Sequence, residues 1–495
     1  MLDNGLGSWP ARRRRSTPEN VALVFGEEQT TYAELHDRVL RLGHVLRDLG
    51  VNPGDRVAYV GPNHPAFVEA LFATHALGAI FVPLNFRLAA PELDFMLSDS
   101  GTSVLVYAPE NAAVVDDLET YTGARLAVAE ARDGADDSPI DTPVNGSDPA
   151  LILYTSGTTG RPKGAVLTHD NLLWNCLHMM IDVDIAGDEV TLISAPLFHV
   201  AALDQTLLPT LLKGGTSVIM PTWDVDTCFD LIEEHGVTWM FGVSAMFAGL
   251  VQSPRWESAD LSSVRTLMSG GAPVPAALIS AYQERGLVFC QGYGLTETAP
   301  GATFLRPEQS VRKSGTAGTP CFFVDVRVVT GDLGDAPSDI PGEVLVQGPN
   351  VTSGYWGREE ATEAAFVDGT WLRTGDLATI DDEGYLTIVD RVKDMYISGG
   401  ENVYPAEVEA ALFEHPAVAE AAVIGVPDDR WGEVGAAYVV TRPESSTDGE
   451  ELRAFLRTRL AHYKVPVHVH LVDDLPRTGS GKVRKPALRE MSRDT

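Results

Sequence analysis

Residues 154 to 164 read Tyr-Thr-Ser-Gly-Thr-Thr-Gly-Arg-Pro-Lys-Gly. The apolar run Ala150-Leu151-Ile152-Leu153-Tyr154 leads in as a buried strand, and Ala165-Val166-Leu167 leads out as a second. Two short strands around a polar glycine-rich loop predict a hairpin. Glycines let backbone N–H groups approach a polyanion, hydroxyls add donors, and Lys163 supplies a point charge. The loop therefore reads as a phosphate cradle. It is not a P-loop of the GxxxxGK[ST] kind, because Pro162 precedes Lys163 and Gly164 follows it. No helix N-terminus is presented to the phosphates either. A plain polar turn does not need so many hydroxyls and glycines beside a lysine.

Upstream, Thr31-Tyr32-Ala33-Glu34 is a capping box, and Leu35, Val39, Leu42, Val45, Leu46 and Leu49 follow at helical spacing until Gly50. Arg56 to Val60 predicts a strand, 65 to 77 a helix, and Ala79 to Val82 a strand ended by Pro83. Pro91 to Leu97 predicts a helix and Ser103 to Tyr107 a strand. The acidic stretch from Ala129 to Pro149 predicts a surface excursion. Beyond the cradle, strands are predicted near 190–195, 216–220, 237–241, 264–269 and 287–291, with helices between. Such alternation argues for parallel sheets covered on both faces. Near Asp390 the pattern breaks. Trp371 to Ile380 and Tyr385 to Val389 predict an antiparallel pair. A helix from Pro405, strands from Glu420 and near 436–441, a helix from Glu450 and a strand near 467–472 then predict a small α+β domain. The reading is an N-terminal domain over 1–389, a charged hinge over 390–394 and a C-terminal domain over 395–495, around a cleft that opens and closes.

With 495 residues and 44% hydrophobic side chains the chain can bury several cores. Its formal net charge of −32 argues against nucleic acid and anionic lipid as partners, but not against a nucleotide held in a local positive patch. Cys176, Cys228, Cys290 and Cys321 form no CxxC pair, which argues against a disulfide framework or zinc site and fits a cytoplasmic setting. No apolar run is long enough for a transmembrane segment. Arg12-Arg13-Arg14-Arg15 lacks the apolar stretch of a signal peptide and predicts a solvated segment.

Further stretches carry candidate chemistry. His199, in Pro196-Leu197-Phe198-His199, follows a strand end, where ligands gather in open α/β sheets. Ser269-Gly270-Gly271-Ala272-Pro273 also follows a strand; by itself it reads as a strand-to-helix turn. Gln291-Gly292-Tyr293-Gly294-Leu295-Thr296-Glu297-Thr298 places a hydroxyl and a carboxylate after a Gly-Tyr-Gly turn. That suits magnesium bridging phosphate oxygens, or a helix N-terminal acid. Asp376, in Arg373-Thr374-Gly375-Asp376, can accept from two ribose hydroxyls. Ser398-Gly399-Gly400-Glu401-Asn402 and Pro476-Arg477-Thr478-Gly479-Ser480-Gly481-Lys482 read as mobile glycine-rich loops.

Together and in this order these stretches resemble the acyl- and aryl-CoA synthetases of the adenylate-forming superfamily, over nearly the whole chain. The resemblance implies an α/β fold: parallel-type sheets with helices plus a distorted β-barrel, and a small mobile α+β C-terminal domain. It implies an AMP-forming acid–thiol ligase using ATP, Mg2+ and coenzyme A, acting through an acyl-adenylate and then a thioester, with a homodimer left open. By motif, Thr155, Ser156, Gly157, Thr158, Thr159 and Lys163 would hold the β- and γ-phosphates. Thr296 would meet the α-phosphate and Glu297 the magnesium. Asp376, with Arg391 beside it, would hold the ribose. Gly270, Gly271, Ala272, Gln291, Gly292, Tyr293 and Gly294 would line the adenine and acyl sides. His199 would gate the carboxylate and pantetheine tunnel, and Asp390 would be the hinge. Gly399, Gly400 and Glu401 would enter for thioester formation, and Lys482 for adenylation. The loop after the hinge departs from the plant coumarate ligases: Ile397 and Gly399 replace two lysines, leaving Lys393 and backbone amides to serve there.

The acyl pocket expected from the same resemblance includes Val200, Ala201, Trp239, Val243, Ser244 and Gly294. It offers no cation for a second carboxylate and no carboxylate for an ammonium. An uncharged monocarboxylate remains. The overall run is most similar to bacterial feruloyl-CoA synthetases, with Gly5-Leu6-Gly7-Ser8-Trp9-Pro10 and Gly61-Pro62-Asn63-His64-Pro65 as local grounds. Long-chain fatty acyl-CoA synthetases are the alternative, on Ile397 to Pro405, and terpenoid acids stay open. A luciferase-like monooxygenase and an enzyme loading a carrier protein are the alternatives from other classes.

Overall fold

A computed structural model describes residues 5–131, 136–155, 162–271, 274–398, 401–428, 430–443, 445–477 and 482–492. The largest sheet has nine strands, in the spatial order Thr319–Pro320, Gly301–Phe304, Phe289–Gly294, Thr266–Gly270, Trp239–Gly242, Val190–Ile193, Thr216–Ile219, Val21–Phe25 and Glu28–Thr31. From Phe289–Gly294 to Val21–Phe25 the strands run parallel, and antiparallel pairs close both edges. A seven-stranded sheet follows the order Gly354–Tyr355, Lys163–Thr168, Pro149–Thr155, Ile80–Leu84, Arg56–Val60, Val104–Tyr107 and Ala124–Ala127. Its central parallel strands Arg56–Val60, Ile80–Leu84 and Val104–Tyr107 are short, mostly apolar and largely buried runs, as parallel strands under helices must be. The helix Pro65–Ala76 is buried at every residue from Pro65 to His75. That explains a sequence apolar all round rather than along one stripe.

The expected alternation is present, and the capping box at Thr31 closes as predicted, with Glu34 bonding back to the Thr31 N–H. Two expectations need correction. Pro83 lies inside the strand Ile80–Leu84 instead of ending it. The registered pair with Pro149–Thr155 falls earlier, at Phe81, so the missing N–H of Pro83 breaks no registered bond there. The arginine run is a helix, Trp9–Ser16, and Arg13 is not simply solvated. Its guanidinium donates to the carbonyls of Leu211 and Leu212 at the end of the helix Leu208–Lys213, where backbone acceptors have no helical partner.

Where a distorted barrel is expected, five strands form an antiparallel sheet: Asp325–Val329, Gly342–Gln347, Trp371–Ile380, Phe366–Val367 and Leu386–Arg391. The small α+β unit begins at Tyr396 and has its own sheet, with Val418–Asp428 against Gly432–Thr441 at its centre. Alternation splits its core. Val423, Ala437 and Val439 face Val408, Leu452 and Leu456, while Ile424, Ala436 and Tyr438 face Leu475 and Leu488. Asp390, next to last in the strand Leu386–Arg391, reaches across: it accepts from Ala406 N–H, in the first turn of the helix Pro405–Phe413, at 2.9 Å. No described helix is long and apolar enough to cross a membrane, and all four cysteines are buried and free.

Burial also sets a pH response. His75, His169 and His178 are buried. Burial drives His75 and His178 down to about 4 and His169 well below its usual value. Between pH 6.5 and 5 the unfolded chain takes up protons that these rings refuse. Stability therefore falls as pH falls, by at most about 1.4 kcal/mol per pH unit for each ring. Asp204 and Asp390 oppose this, because burial pushes their pKa values up and the folded protein keeps protons that the unfolded chain has lost. With His199, which burial also drives down to about 3, four rings outweigh two carboxyls, so the melting temperature is expected to be lower at pH 5 than at pH 6.5. Asp204→Asn removes one opposing group and should steepen the fall; a flat or rising profile would show that these rings titrate normally.

Candidate active site

The strand Phe289–Gly294 runs straight into a single tight turn, Thr296–Thr298. Gly294 is required there, since a Cβ would stand 1.6 Å from the Pro300 carbonyl oxygen. Thr298 Oγ1 accepts from Leu295 N–H at 2.9 Å, Asn350 Nδ2 donates to Gly301 O at 2.6 Å, and Thr352 N–H donates to Glu297 O at 2.7 Å. The backbone under Glu297 is thus fixed on both sides. The chain continues into the strand Gly301–Phe304, so the alternative role of Glu297 as a helix N-terminal acid is left with the single 3-10 turn Thr296–Thr298. Its carboxylate accepts from Tyr355 Oη at 2.9 Å.

Asp376 is 5% exposed and pairs with two groups from different sheets. Tyr293 Oη donates to its Oδ2 at 2.8 Å, and Arg391 Nε meets its Oδ1 at 2.8 Å. Burial first, then the Asp376 charge, pushes the Tyr293 phenol well up, so it stays a donor. Each carboxylate oxygen keeps a lone pair for a further donor.

Lys482, from the small unit, enters this cleft. A Cβ on Gly271 would stand 3.5 Å from Lys482 Cε and 3.6 Å from its Nζ. The side chain keeps solvent contact, yet protein crowds its ammonium. Burial and then the Arg391 charge lower its pKa, while Asp376 and Glu297 draw it back up. Burial, with Lys482 and Arg87 adding to it, drives His199 down to about 3, so its ring is neutral near pH 7. His199 sits on a loop that Asn63 pins: Asn63 Nδ2 donates to Ala195 O at 2.9 Å and Met220 O at 3.1 Å, and Leu197 N–H donates to Asn63 Oδ1 at 2.8 Å.

The other expected residues divide. Thr155 and Lys163 lie on the two strands of the predicted hairpin, paired with each other. The cradle residues Ser156, Gly157, Thr158 and Thr159 fall outside the described residues, as do Ala272, Gly399 and Gly400. Gly270 packs against the adjacent strand, where a Cβ would come 2.9 Å from Gly292 O. Gln291 is committed elsewhere, its amide donating to Thr316 O at 3.2 Å. Trp239 and Val200 are buried in one core with Ala201 beside them, whereas Val243 packs on a different cluster. Ser244 opens the helix Ser244–Gln252. Lys393 and Glu401 are exposed, Glu401 on a hairpin of the small sheet. Asn63 and Tyr355 went unread as site residues. Asn63 stands in a Gly-Pro-Asn-His-Pro turn that signals a loop but not its partner, and nothing local marks Tyr355.

The cleft therefore holds Lys482 and Arg391 beside Glu297 and Asp376, next to a neutral imidazole. Among the described residues no cluster of three or more metal-ligating side chains exists. A lone carboxylate suits magnesium, which protein sites commonly hold through one or two carboxylates plus substrate phosphates and water.

Fold and cleft define a nucleotide-type α/β enzyme closed by a small α+β unit. The AMP-binding enzyme model matches residues 11–356, and the AMP-binding enzyme C-terminal domain model matches 407–482. The chain is 54% identical over 489 residues to a feruloyl-CoA synthase from an Amycolatopsis species, covering 99% of each. It is 40% identical to a long-chain-fatty-acid–CoA ligase of Mycobacterium tuberculosis, covering 97% of each. Among solved structures, o-succinylbenzoate coenzyme A synthetase from Bacillus subtilis, in complex with ATP and magnesium ion, superposes with a TM-score of 0.90 at 35% identity, covering 98% of this chain and 99% of that one. The chain belongs to the AMP-binding enzyme family.

Asn63→Ala removes the hydrogen bonds that fix the His199 loop and leaves buried groups unpaired. It is expected to destabilise the protein by about 3 kcal/mol and to raise the KM for the acid. Denaturant unfolding and steady-state kinetics check this; a variant unchanged in both would show that Asn63 does not hold the loop.

Proposed function

We propose that the chain is an ATP-dependent carboxylate–CoA ligase that takes a hydroxycinnamic acid of the feruloyl or coumaroyl type. The observation that carries the reading is the ammonium of Lys482 at Gly271, among Glu297, Asp376 and Arg391. In the first half-reaction a carboxylate oxygen of the acid bonds to the α-phosphorus of ATP. The bond to the β-phosphate oxygen breaks, and pyrophosphate leaves. Negative charge grows at the carboxylate and α-phosphate, where Lys482 supplies a positioned cation. Asp376 holds the ribose, and Thr296 takes the α-phosphate. Thr155 and Lys163, with the rest of the cradle, take the outer phosphates. Glu297 would hold magnesium, which would supply positive charge against the leaving pyrophosphate. His199 stays uncharged and borders the acid without repelling Lys482. In the second half-reaction the thiol of coenzyme A loses its proton, its sulfur bonds to the adenylate carbonyl, and AMP leaves.

The proposed domains are 1–389 and 395–495, hinged over 390–394 at Asp390. With Lys482 in the cleft, the arrangement corresponds to adenylate formation. Rotation about Asp390 would withdraw Lys482 and bring Gly399, Gly400 and Glu401 inward for thioester formation. A separate core in the small unit supports movement as one body. The aromatic acid is supported by the apolar residues Val200, Ala201 and Trp239 and by the 54% identity to a feruloyl-CoA synthase. A fatty acid is the second reading, favoured by the same apolar lining and the 40% relative. Free buried cysteines support a reducing, cytoplasmic setting.

Pyrophosphate release should give the highest specificity constant with ferulate or coumarate, ahead of benzoate, octanoate and palmitate. If palmitate exceeds ferulate about tenfold, a difference of about 1.4 kcal/mol, the fatty-acid reading takes over. Lys482→Ala should slow acyl-adenylate formation by about 10²- to 10³-fold and leave thioester formation from supplied adenylate nearly intact. Single-turnover assays of each step decide, and equal impairment of both would rule out an alternating small domain.

A further inference from the structure

We infer that Tyr355 is a positioning residue that couples the cradle lysine to the metal-binding carboxylate, its ring face taking the Lys163 ammonium and its hydroxyl holding Glu297. This rests on the reading of Glu297 as the magnesium carboxylate. Tyr355 Oη donates to Glu297 Oε1 at 2.9 Å, and Lys163 Nζ lies 5.2 Å from the centre of the Tyr355 ring. One side chain thus contacts a cation and an anion through two different parts. The ring face is electron-rich and attracts the ammonium, while the phenol O–H is a donor that suits a carboxylate.

The tyrosine is itself fixed before any ligand arrives. Its backbone pairs with Ala165 on the cradle strand, and its N–H donates to Thr362 Oγ1 at 2.9 Å. Trp356 N–H donates to Gly164 O at 2.8 Å. Gly354 precedes it with φ +130°, and a Cβ there would fall 2.4 Å from Thr362 Cγ2, so the approach to the strand needs glycine. Thr352 ties the same segment to both sides: its N–H donates to Glu297 O at 2.7 Å and its hydroxyl to Val166 O at 2.6 Å. Residues 352 to 356 therefore form a strap between the strand that begins at Lys163 and the turn that carries Glu297. Burial, and then the Glu297 charge, pushes the Tyr355 pKa up, so the hydroxyl keeps its proton.

The arrangement answers an electrostatic problem. Lys163 and Glu297 carry opposite charges on neighbouring segments, and a direct ion pair would leave neither for its ligand. Among the described residues no ion pair joins them. The tyrosine occupies both, weakly on the cation side and through a single oxygen on the anion side. Oε2 of Glu297 is left for a metal ion, and the ammonium for phosphate.

Calorimetric titration of the full chain with ATP, with magnesium chloride and with EDTA, tests this on three variants. Tyr355→Phe keeps the ring and loses the hydroxyl. It should weaken ATP binding with magnesium about tenfold and leave the EDTA titration unchanged. Tyr355→Leu loses both parts and should weaken binding in EDTA as well, about 3- to 5-fold. Glu297→Gln is the control for the metal reading and should abolish most of the magnesium effect. If Glu297→Gln loses the magnesium effect while Tyr355→Phe matches the parent, the coupling role fails and the metal reading stands. If Glu297→Gln keeps the full effect, the metal reading falls and the coupling with it. Identical behaviour of Tyr355→Phe and Tyr355→Leu, at unchanged melting temperature, would overturn the role of the ring.

Discussion

Asp376 carries a charge that the fold almost removes from water, and much of the cleft is arranged around that fact. A carboxylate so enclosed must be paired and hydrogen-bonded. Its partners come from different parts of the chain: Tyr293 from the nine-stranded sheet, and Arg391 from the end of the antiparallel sheet that leads into the small unit. Lys482 then approaches from the small unit itself and is drawn toward the same carboxylate. One buried anion thus gathers three segments that share no local sequence. The proposed nucleotide cleft is the space they enclose.

The charge of the whole molecule and the charge of the cleft run in opposite senses. The chain carries −32 overall, a surface that repels polyanions. Inside, Lys482 and Lys163 face the positions proposed for phosphate, Arg391 pairs with Asp376 on the proposed ribose side, and both acids are tied to tyrosine hydroxyls. Tyr293 holds Asp376 and Tyr355 holds Glu297, both phenols kept protonated by burial and by the carboxylate they serve. His199 adds no charge, because burial and Lys482 keep it neutral. A local set of cations can therefore suit a highly charged small molecule in a chain whose net charge is strongly negative.

The connection at Asp390 is more structured than a linker. Its carboxylate accepts from Ala406 N–H, in the first turn of the small unit's first helix, and from its own neighbour Arg391 N–H at 2.6 Å. An acid at a helix N-terminus meets both an orphan donor and the favourable end of the dipole. Lys485 and Glu409, paired at 2.8 Å, lie close enough to bias the same carboxyl. The orientation that presents Lys482 is thus held at its base by short polar contacts.

Local patterns were readable from the residues alone, because they depend on spacings of a few positions. The parallel strands showed as short apolar runs between helical periods, the capping box at Thr31 as four residues, and the cradle hairpin as two strands around a polar loop. Candidate ligands could be named wherever a turn left its mark, as at Glu297 and Asp376. What those side chains touch was not legible. Tyr355 meets Glu297 across 58 residues of sequence, Tyr293 meets Asp376 across 83, and Leu197 meets Asn63 across 134. Pro83 read as a strand end because a missing N–H usually ends pairing, and only the register of the neighbouring strand shows that the pair with it lies at Phe81 instead. Arg13 read as solvated because the helix end it covers lies almost two hundred residues away. Sequence determines which elements form, since backbone sterics and burial periodicity act locally. Tertiary structure decides which charges are paired and which stay available to a ligand, because burial and partnership come from chain segments that meet only when the sheets pack.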